Sequence, residues 1–243
     1  MPTVLILGAT SDIGIAVARK FASEKFDVQL AARDINKLGP ACSDFKIRYG
    51  VNCSAHLFDA LNFASHQNFY NSLEQKPDVC VFVIGYMNDN DTVLKSWEES
   101  KKTIDTNYSS GVSILNVIAE DYASRQQGTI VGISSVAGIR GRQSNFIYGS
   151  SKAAFTAYLS GLRNRLFHHK VHVLTVLPGF VNTKMTENLN LPKILTAEPD
   201  EVGNAIFKAV QKRKNVIYVK WFWRWIMLII KLIPEFIFKS KKL

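Results

Sequence analysis

Along the first 219 residues, short apolar runs alternate with longer stretches in which apolar side chains recur every three or four positions. The runs at 3–7, 27–31, 55–58, 79–83, 128–133, 171–176 and 216–219 are too short for helices. They are mostly rich in Val, Ile, Leu and Ala, so they read as buried strands. The periodic stretches predict helices over 13–24, 62–75, 99–124, 147–168 and 199–212, while the region around Gly39 and Pro40 shows no clear period and reads as irregular. Strands that alternate with helices predict βαβ units. The expected fold is therefore α/β, a doubly wound parallel seven-stranded sheet of Rossmann type, with ligands beyond the carboxyl ends of the strands.

The pattern changes after residue 219. Residues 221–233 hold eleven apolar side chains and only Arg224 and Lys231, seven apart and so on one helical stripe, with Lys220 nearby. A helix of this length spans about 20 Å, short of a hydrocarbon core of about 30 Å, and Pro234 interrupts it. Residues 1–219 are expected to form the Rossmann-type domain, and residues 220–243 a C-terminal amphipathic, basic segment that associates with a membrane. In that reading Trp221, Trp223 and Trp225 lie at headgroup depth and Lys239, Lys241 and Lys242 touch anionic lipid. The same pattern also fits a helix buried against the substrate lobe or a partner subunit.

Composition narrows the class. With 243 residues and 47% hydrophobic content, the chain has material for one well-buried domain. The net charge of +10 gathers late: Lys208, Lys212, Arg213, Lys214 and Lys220 are followed by Arg224, Lys231, Lys239, Lys241 and Lys242, against a single acid, Glu235. Charge around an apolar segment points to an anionic membrane surface and not to nucleic acid. Cys42, Cys53 and Cys80 form no C-x-x-C pair, and the histidines share no face, so neither a disulfide framework nor a metal site is expected. The first apolar run lacks a basic start and ends in a glycine loop, so no secretory signal is read and a cytoplasmic location is expected.

The chemistry begins at "LGATSDIG", where Gly8 follows a strand and Gly14 lies in the opening turn of a helix, the setting of a phosphate loop. Gly8, Thr10, Ser11, Asp12, Ile13 and Gly14 are its candidate cofactor contacts. Asp12 stands where a middle glycine is expected, and either caps the helix or faces the pyrophosphate. At the end of the second strand, "QLAARD" offers no carboxylate for ribose hydroxyls but places Arg33 for a 2′-phosphate, which favours NADP(H) over NAD(H). Asp59 is a candidate adenine contact or a turn residue. Asn107 on a helix, Ser135 after "GTIVGIS", and Tyr148 with Lys152 in "YGSSK" stand in an order that suits carbonyl chemistry. Tyr and Lys four apart share a helix face, so a nearby ammonium is expected to lower the phenol and make it a usable general acid.

With these motifs the chain resembles the short-chain dehydrogenase/reductase family over nearly its whole length. The resemblance implies a catalytic tetrad of Asn107, Ser135, Tyr148 and Lys152 and hydride transfer between a nicotinamide and a carbonyl carbon. Tyr148 would give the proton, Lys152 would also hold the nicotinamide ribose, Ser135 would orient the carbonyl, and Asn107 would order a water. "LPGFVNT" resembles the family's P-G-x-x-x-T segment, which implies Pro178 and Gly179 at the turn and Val181 and Thr183 near the carboxamide. The family's N-N-A-G reads "FVIG" here, so only Gly85 carries over.

A narrower resemblance, carried by "GATSDIG", "SSVAGIRGRQSNFIYGSSKA" and "WRWIMLIIKLIPEFIFKSKKL", is to the family branch of decaprenylphosphoryl-ribose 2′-epimerase reductases. It implies reduction of a 2-keto pentofuranose on a polyprenyl phosphate in cell-wall biosynthesis, peripheral to the cytoplasmic face of the membrane, with a flavin-dependent oxidase partner. Arg140 and Arg142 are candidate ligands of the lipid phosphate, or two exposed loop arginines. A reductase of another hydrophobic ketone such as a 3-keto lipid, a non-catalytic NADP-binding partner of an oxidase, and a homo-oligomer fit the same features.

Overall fold

The computed structural model describes residues 1–187 and 191–241, so Lys242 lies outside the described residues. Seven parallel strands form the sheet: β1 (Thr3–Leu7), β2 (Asp27–Ala32), β3 (Cys53–Leu57), β4 (Val79–Phe82), β5 (Thr129–Ile133), β6 (His172–Pro178) and, at the far edge, β9 (Val216–Val219). Their spatial order is β3-β2-β1-β4-β5-β6-β9. The winding reverses between β1 and β4, the position where a doubly wound sheet opens a crevice for a ligand.

Burial on both faces explains why the inner strands β1, β4 and β6 read as apolar runs, while the edge strands β3 and β9 are only partly covered. In β1, Val4 and Ile6 pack with Val17 and Phe21 of α1 (Asp12–Ser23) and Val202 and Ile206 of α8 (Pro199–Gln211). Leu5 and Leu7 point the other way, to α3 (His66–Ser72), α6 (Ser110–Arg125) and α7 (Phe146–Leu166).

Three regions depart from expectation. The irregular region is a helix, α2 (Gly39–Tyr49), with Pro40 in its first turn and Gly50 closing it at φ +65°. Only Phe45 of α2 is fully buried, so its apolar stripe is too thin to register as a period. The expected helix at 62–75 opens with a 3-10 turn and keeps only α3. The single helix expected at 99–124 is instead α5 (Trp97–Ile104), a π turn (Asp105–Ser109) and α6, preceded by α4 (Asn90–Lys95). After β6, β7 (Phe180–Val181) pairs with β8 (Thr196–Ala197) in a small parallel sheet, with too few residues in either strand to show in sequence.

Beyond β9 lie α9 (Trp223–Leu232) and, after Pro234, α10 (Glu235–Phe238). The expectation for Trp223 is corrected. It is 4% exposed, packs with Met227, Leu177 and Val136, and its indole Nε1 donates to Leu195 O at 3.2 Å. Trp223 and Met227 are four apart, so a full helical stripe faces the domain. The opposite side leaves Trp221, Trp225, Leu228, Ile229, Leu232 and Phe236 exposed. Among the described residues no helix is long and apolar enough to cross a membrane.

Candidate active site

Two adjoining cavities open over the carboxyl ends of the strands. The larger, about 530 Å³, runs from the β1–α1 loop past the end of β2. Gly8 adopts φ +99°, and a Cβ there would come within 2.8 Å of Ile84 Cγ1 and 3.2 Å of the Ile84 amide, so glycine is required by both conformation and space. Ser11 is the N-cap of α1: its hydroxyl accepts from the Gly14 amide at 3.0 Å and donates to Gly8 O at 2.8 Å. The cap expected of Asp12 thus belongs to the residue before it. Asp12 accepts instead from the amide of Lys184 at 2.8 Å and ties the phosphate loop to the segment after β7, while still lining the cleft.

Thr10, Ile13, Arg33, Gly85 and Thr183 line the same cleft. Asp59 does too, and its carboxylate accepts from the Leu61 amide at 3.0 Å, which is the turn role. A glycine turn at a helix N-terminus, an exposed guanidinium at the end of β2 and a long cleft between them fit a phosphorylated dinucleotide.

The smaller cavity, about 160 Å³, is walled by Ser135, Tyr148 and Lys152, with Pro178, Gly179, Val181 and Thr183 opposite. Tyr148 and Lys152 stand one turn apart on α7. Lys152 is 3% exposed, its Nζ donates to Ile133 O at 3.0 Å, and it lies 5.9 Å from the Tyr148 ring centre. Ser135 follows β5 directly. Its hydroxyl accepts from the Ala137 amide at 3.1 Å, and Ser135 lines the cavity together with Tyr148.

Asn107 is fully buried in the π turn, the kind of helix defect that gathers at functional sites. Its Nδ2 donates to Tyr86 O at 2.6 Å and Thr103 O at 2.8 Å, and its Oδ1 accepts from Tyr86 N at 3.0 Å. The side chain implied to order a water is therefore occupied in holding the loop after β4. Gly85 in that loop lies against both side chains, since a Cβ on it would make ordinary contacts at 3.4 Å to Asn107 Oδ1 and 3.6 Å to Lys152 Nζ.

Burial raises the Tyr148 phenol above its usual value, and the Ser135 hydrogen bond and the charge of Arg142 pull it back. Arg142 is one cation that acts on the phenol, while the Lys152 ammonium is bonded to Ile133 O. Burial also depresses Lys152 itself, from 10.5 to about 8.

That depression has a stability consequence of definite sign. The unfolded chain binds more protons than the native one between pH 8 and 10.5, so the cost of burying the ammonium is fully present at neutral pH and fades as pH rises through that window. The cost is on the order of 3 kcal/mol, and losing the bond to Ile133 O offsets about 1 of it. Lys152→Met is expected to stabilise the protein at pH 7, by roughly 2 kcal/mol on these figures. The gain should shrink at pH 10, and urea titrations at the two values check it.

The two loop arginines separate. Arg142 lines the smaller cavity beside Tyr148. Arg140 does not reach either cavity, which corrects its candidacy as a substrate ligand. Its Nη1 donates to Ile230 O and Ile233 O, each at 2.6 Å, its Nη2 pairs with Glu235 at 2.9 Å, and the group stacks 3.6 Å from the Phe238 ring centre. It latches the end of α9, where unpaired carbonyls favour a cation.

Two site residues went unread. Trp223 lies against Gly179, where a Cβ would fall 2.0 Å from the indole, and so walls the smaller cavity. The Trp223–Met227 spacing was the available signal. Asn145 lines the same cavity from the start of α7, and nothing in the sequence separates it from an ordinary helix cap. Among the described residues no group of three or more His, Cys, Asp or Glu gathers to hold a metal.

Known proteins share this arrangement. The short chain dehydrogenase family pattern matches residues 2–193. An uncharacterized oxidoreductase of Mycobacterium tuberculosis is 31% identical over 97% of this chain and 95% of its own length. The ketoacyl reductase HetN of Nostoc is 27% identical over 89% of this chain and 78% of its own. A short-chain dehydrogenase from Sphingobium yanoikuyae, solved in complex with NADPH, superposes with a TM-score of 0.84 at 26% identity, covering 94% of this chain and 92% of that one. The chain belongs to the short-chain dehydrogenase family and is an oxidoreductase of the CH–OH/C=O class.

Proposed function

We propose that this chain uses NADPH to reduce a 2-keto pentofuranose carried on a polyprenyl phosphate, the second half of a 2′-epimerisation, at the cytoplasmic face of a membrane. A flavin-dependent oxidase would supply the ketone. The observation that carries the membrane part is the two-sidedness of α9. Its inner face walls the ketone cavity through Trp223, and its outer face exposes Trp225, Leu228, Ile229 and Leu232 beside Arg224 and Lys231. A headgroup held in that cavity leaves its lipid tail beside an apolar surface with basic flanks.

NADPH supplies the hydride. The remaining tasks fall to side chains: Tyr148 donates its phenolic proton to the carbonyl oxygen, Ser135 donates to the same oxygen and fixes its direction, and Lys152, in the wall of the smaller cavity, binds the ribose. Asn107 acts through Tyr86, as a positioning residue. Arg33 beside Ala32, with no carboxylate at the end of β2, supports NADP(H) over NAD(H).

Asp12 gives a separate prediction. Asp12→Asn keeps an acceptor for the Lys184 amide but removes a charge beside the helix N-terminus, so NADPH is expected to bind a few-fold more tightly, or roughly 0.5–1 kcal/mol. Asp12→Ala also loses the tether. Fluorescence titration of NADPH compares them, and weaker binding by Asp12→Asn would contradict the charge argument.

The reading is tested by following NADPH oxidation with fractionated membrane lipids and identifying the reduced product by mass. A pentofuranose on a polyprenyl phosphate is expected. The likeness to the Nostoc ketoacyl reductase favours a second reading, reduction of a 3-keto lipid by the same residues. Turnover of 3-ketoacyl substrates alone would establish it instead.

A further inference from the structure

The smaller cavity holds positive charge without an answering acid. Arg142 and Lys152 line it, and among the described residues no Asp, Glu or His does. Lys152 is engaged, since its ammonium donates to Ile133 O at 3.0 Å.

Arg142 differs from its neighbour in the same loop. Arg140 donates to three backbone carbonyls and pairs with Glu235, whereas Arg142, among the described residues, makes no hydrogen bond and no ion pair. Its Nε is sealed from solvent, but the residue is only part-buried and Nη1 and Nη2 are not among the sealed atoms. The end of the guanidinium therefore stays accessible, and its two nitrogens form a fork that suits an oxyanion.

Burial also pulls this guanidinium below its ordinary value. A partly desolvated cation with no counter-ion, set in a cleft, is a mark of a binding site. Tyr148 does not offset the cost, because the phenol is neutral until it has given its proton. The first turn of α7 carries no acid, so the helix N-terminus beside Arg142 adds to the positive potential.

The size of the cavity fixes where an anion goes. Arg142 shares about 160 Å³ with Ser135 and Tyr148, the two groups that hold the carbonyl oxygen in the proposed reaction. An anion at Arg142 therefore belongs to a carbon close to the carbonyl and not to the far end of a long chain.

We infer that Arg142 holds a phosphate ester on the carbon next to the ketone, and so selects ketones with that neighbour over neutral ones. The inference rests on the reductase reading and deepens it: a 2-keto pentofuranose joined to a polyprenyl phosphate through its first carbon has the phosphate in this place. A 3-keto lipid carries no charge beside its ketone.

Binding is tested first, apart from turnover. Methyl phosphate, titrated into the NADPH complex and followed by NADPH fluorescence, is expected to bind Arg142→Met about 10-fold or more weakly than the intact protein. Arg142→Lys, which keeps the charge and loses the fork, should fall between them. NADPH affinity and melting curves are expected to match in all three proteins. Next, kcat/KM is compared for dihydroxyacetone phosphate and dihydroxyacetone. The intact protein should prefer the phosphorylated ketone by roughly 10- to 100-fold, the scale of a charge-assisted pair. Arg142→Met should slow both and bring their ratio close to one. Pyruvate, with its carboxylate bonded directly to the carbonyl, should be reduced more slowly than dihydroxyacetone phosphate.

If methyl phosphate does not bind the intact protein, or binds folded Arg142→Met equally well, or if the intact protein reduces both ketones alike, Arg142 holds no substrate phosphate and the reductase assignment stands. Weaker NADPH binding by Arg142→Met would give the guanidinium to the cofactor and overturn the inference, as would faster reduction of pyruvate, which would make the site a reader of carboxylates. If methyl phosphate binds through Arg142 and no ketone is reduced, the reductase reading fails, and the substrate assignment with it.

Discussion

Tyr148→Phe is expected to lower ketone reduction by roughly 10³-fold, the scale set by removing a positioned general acid, while NADPH binding stays nearly unchanged. Tyr148 lines the smaller cavity with Ser135 and Arg142, and Lys152 stands one turn further along α7. Phe fills the same space and keeps the ring over Lys152, but it has no proton to give and leaves Ser135 as the only donor to the carbonyl oxygen. Stability should move little, since the lost hydroxyl borders a cavity that admits water. Steady-state kinetics beside a NADPH titration separate the two effects. Full turnover by a folded Tyr148→Phe protein would remove Tyr148 from the mechanism.

The charge on Arg142 refines that expectation. A buried phenol lifted by desolvation is a weaker acid than catalysis near neutrality requires, and the two groups that draw it down are Ser135 and Arg142. Arg142 therefore serves the proposed reaction by drawing the phenol down, and its variants should lose reduction of every ketone.

What the sequence could reveal follows from where each signal lives. The sheet was legible because both faces of its strands are covered, which forces unbroken apolar runs such as Val4–Leu7. The site was legible wherever a residue's role is set by chain-local geometry: Gly8 by its turn, Tyr148 and Lys152 by helical spacing, Ser135 by the strand end. It failed where the role is set by something distant. Asp12 answers to Lys184, 172 positions away, and Arg140 to carbonyls some 90 positions on. Residues that look like a cap and a phosphate ligand are a tether and a latch, because long-range hydrogen bonds leave no periodic trace.

Helix α2 escaped notice for the opposite reason. It buries one residue fully, so its existence depends on its Pro and Gly ends more than on an apolar face. The C-terminal helix shows a third case, in which an apolar pattern overdetermines burial. With apolar side chains on both faces, sequence alone does not say which face the domain takes.

Trp223 and Trp225 resolve that ambiguity experimentally, because they stand on opposite sides of α9. Trp223→Ala empties a site that is 4% exposed and cuts the Leu195 hydrogen bond, and is expected to cost about 3–5 kcal/mol. At about 2–4 °C per kcal/mol for a chain of this size, the melting temperature falls by roughly 10 °C. The KM for ketone should rise as well, since the indole covers Gly179 and walls the cavity. Trp225→Ala removes a side chain that is 54% exposed, and is expected to change stability by no more than about 0.5 kcal/mol. Its effect should appear in flotation with anionic vesicles, where the intact chain rises and the variant rises less. Arg140→Ala serves as a third probe: without the latch the end of α9 frays, which weakens vesicle binding and cavity closure together. If Trp225→Ala floats as well as the intact chain while Trp223→Ala is as stable as it, then α9 neither closes the cavity nor meets the lipid, and the membrane reading has no support left in this helix.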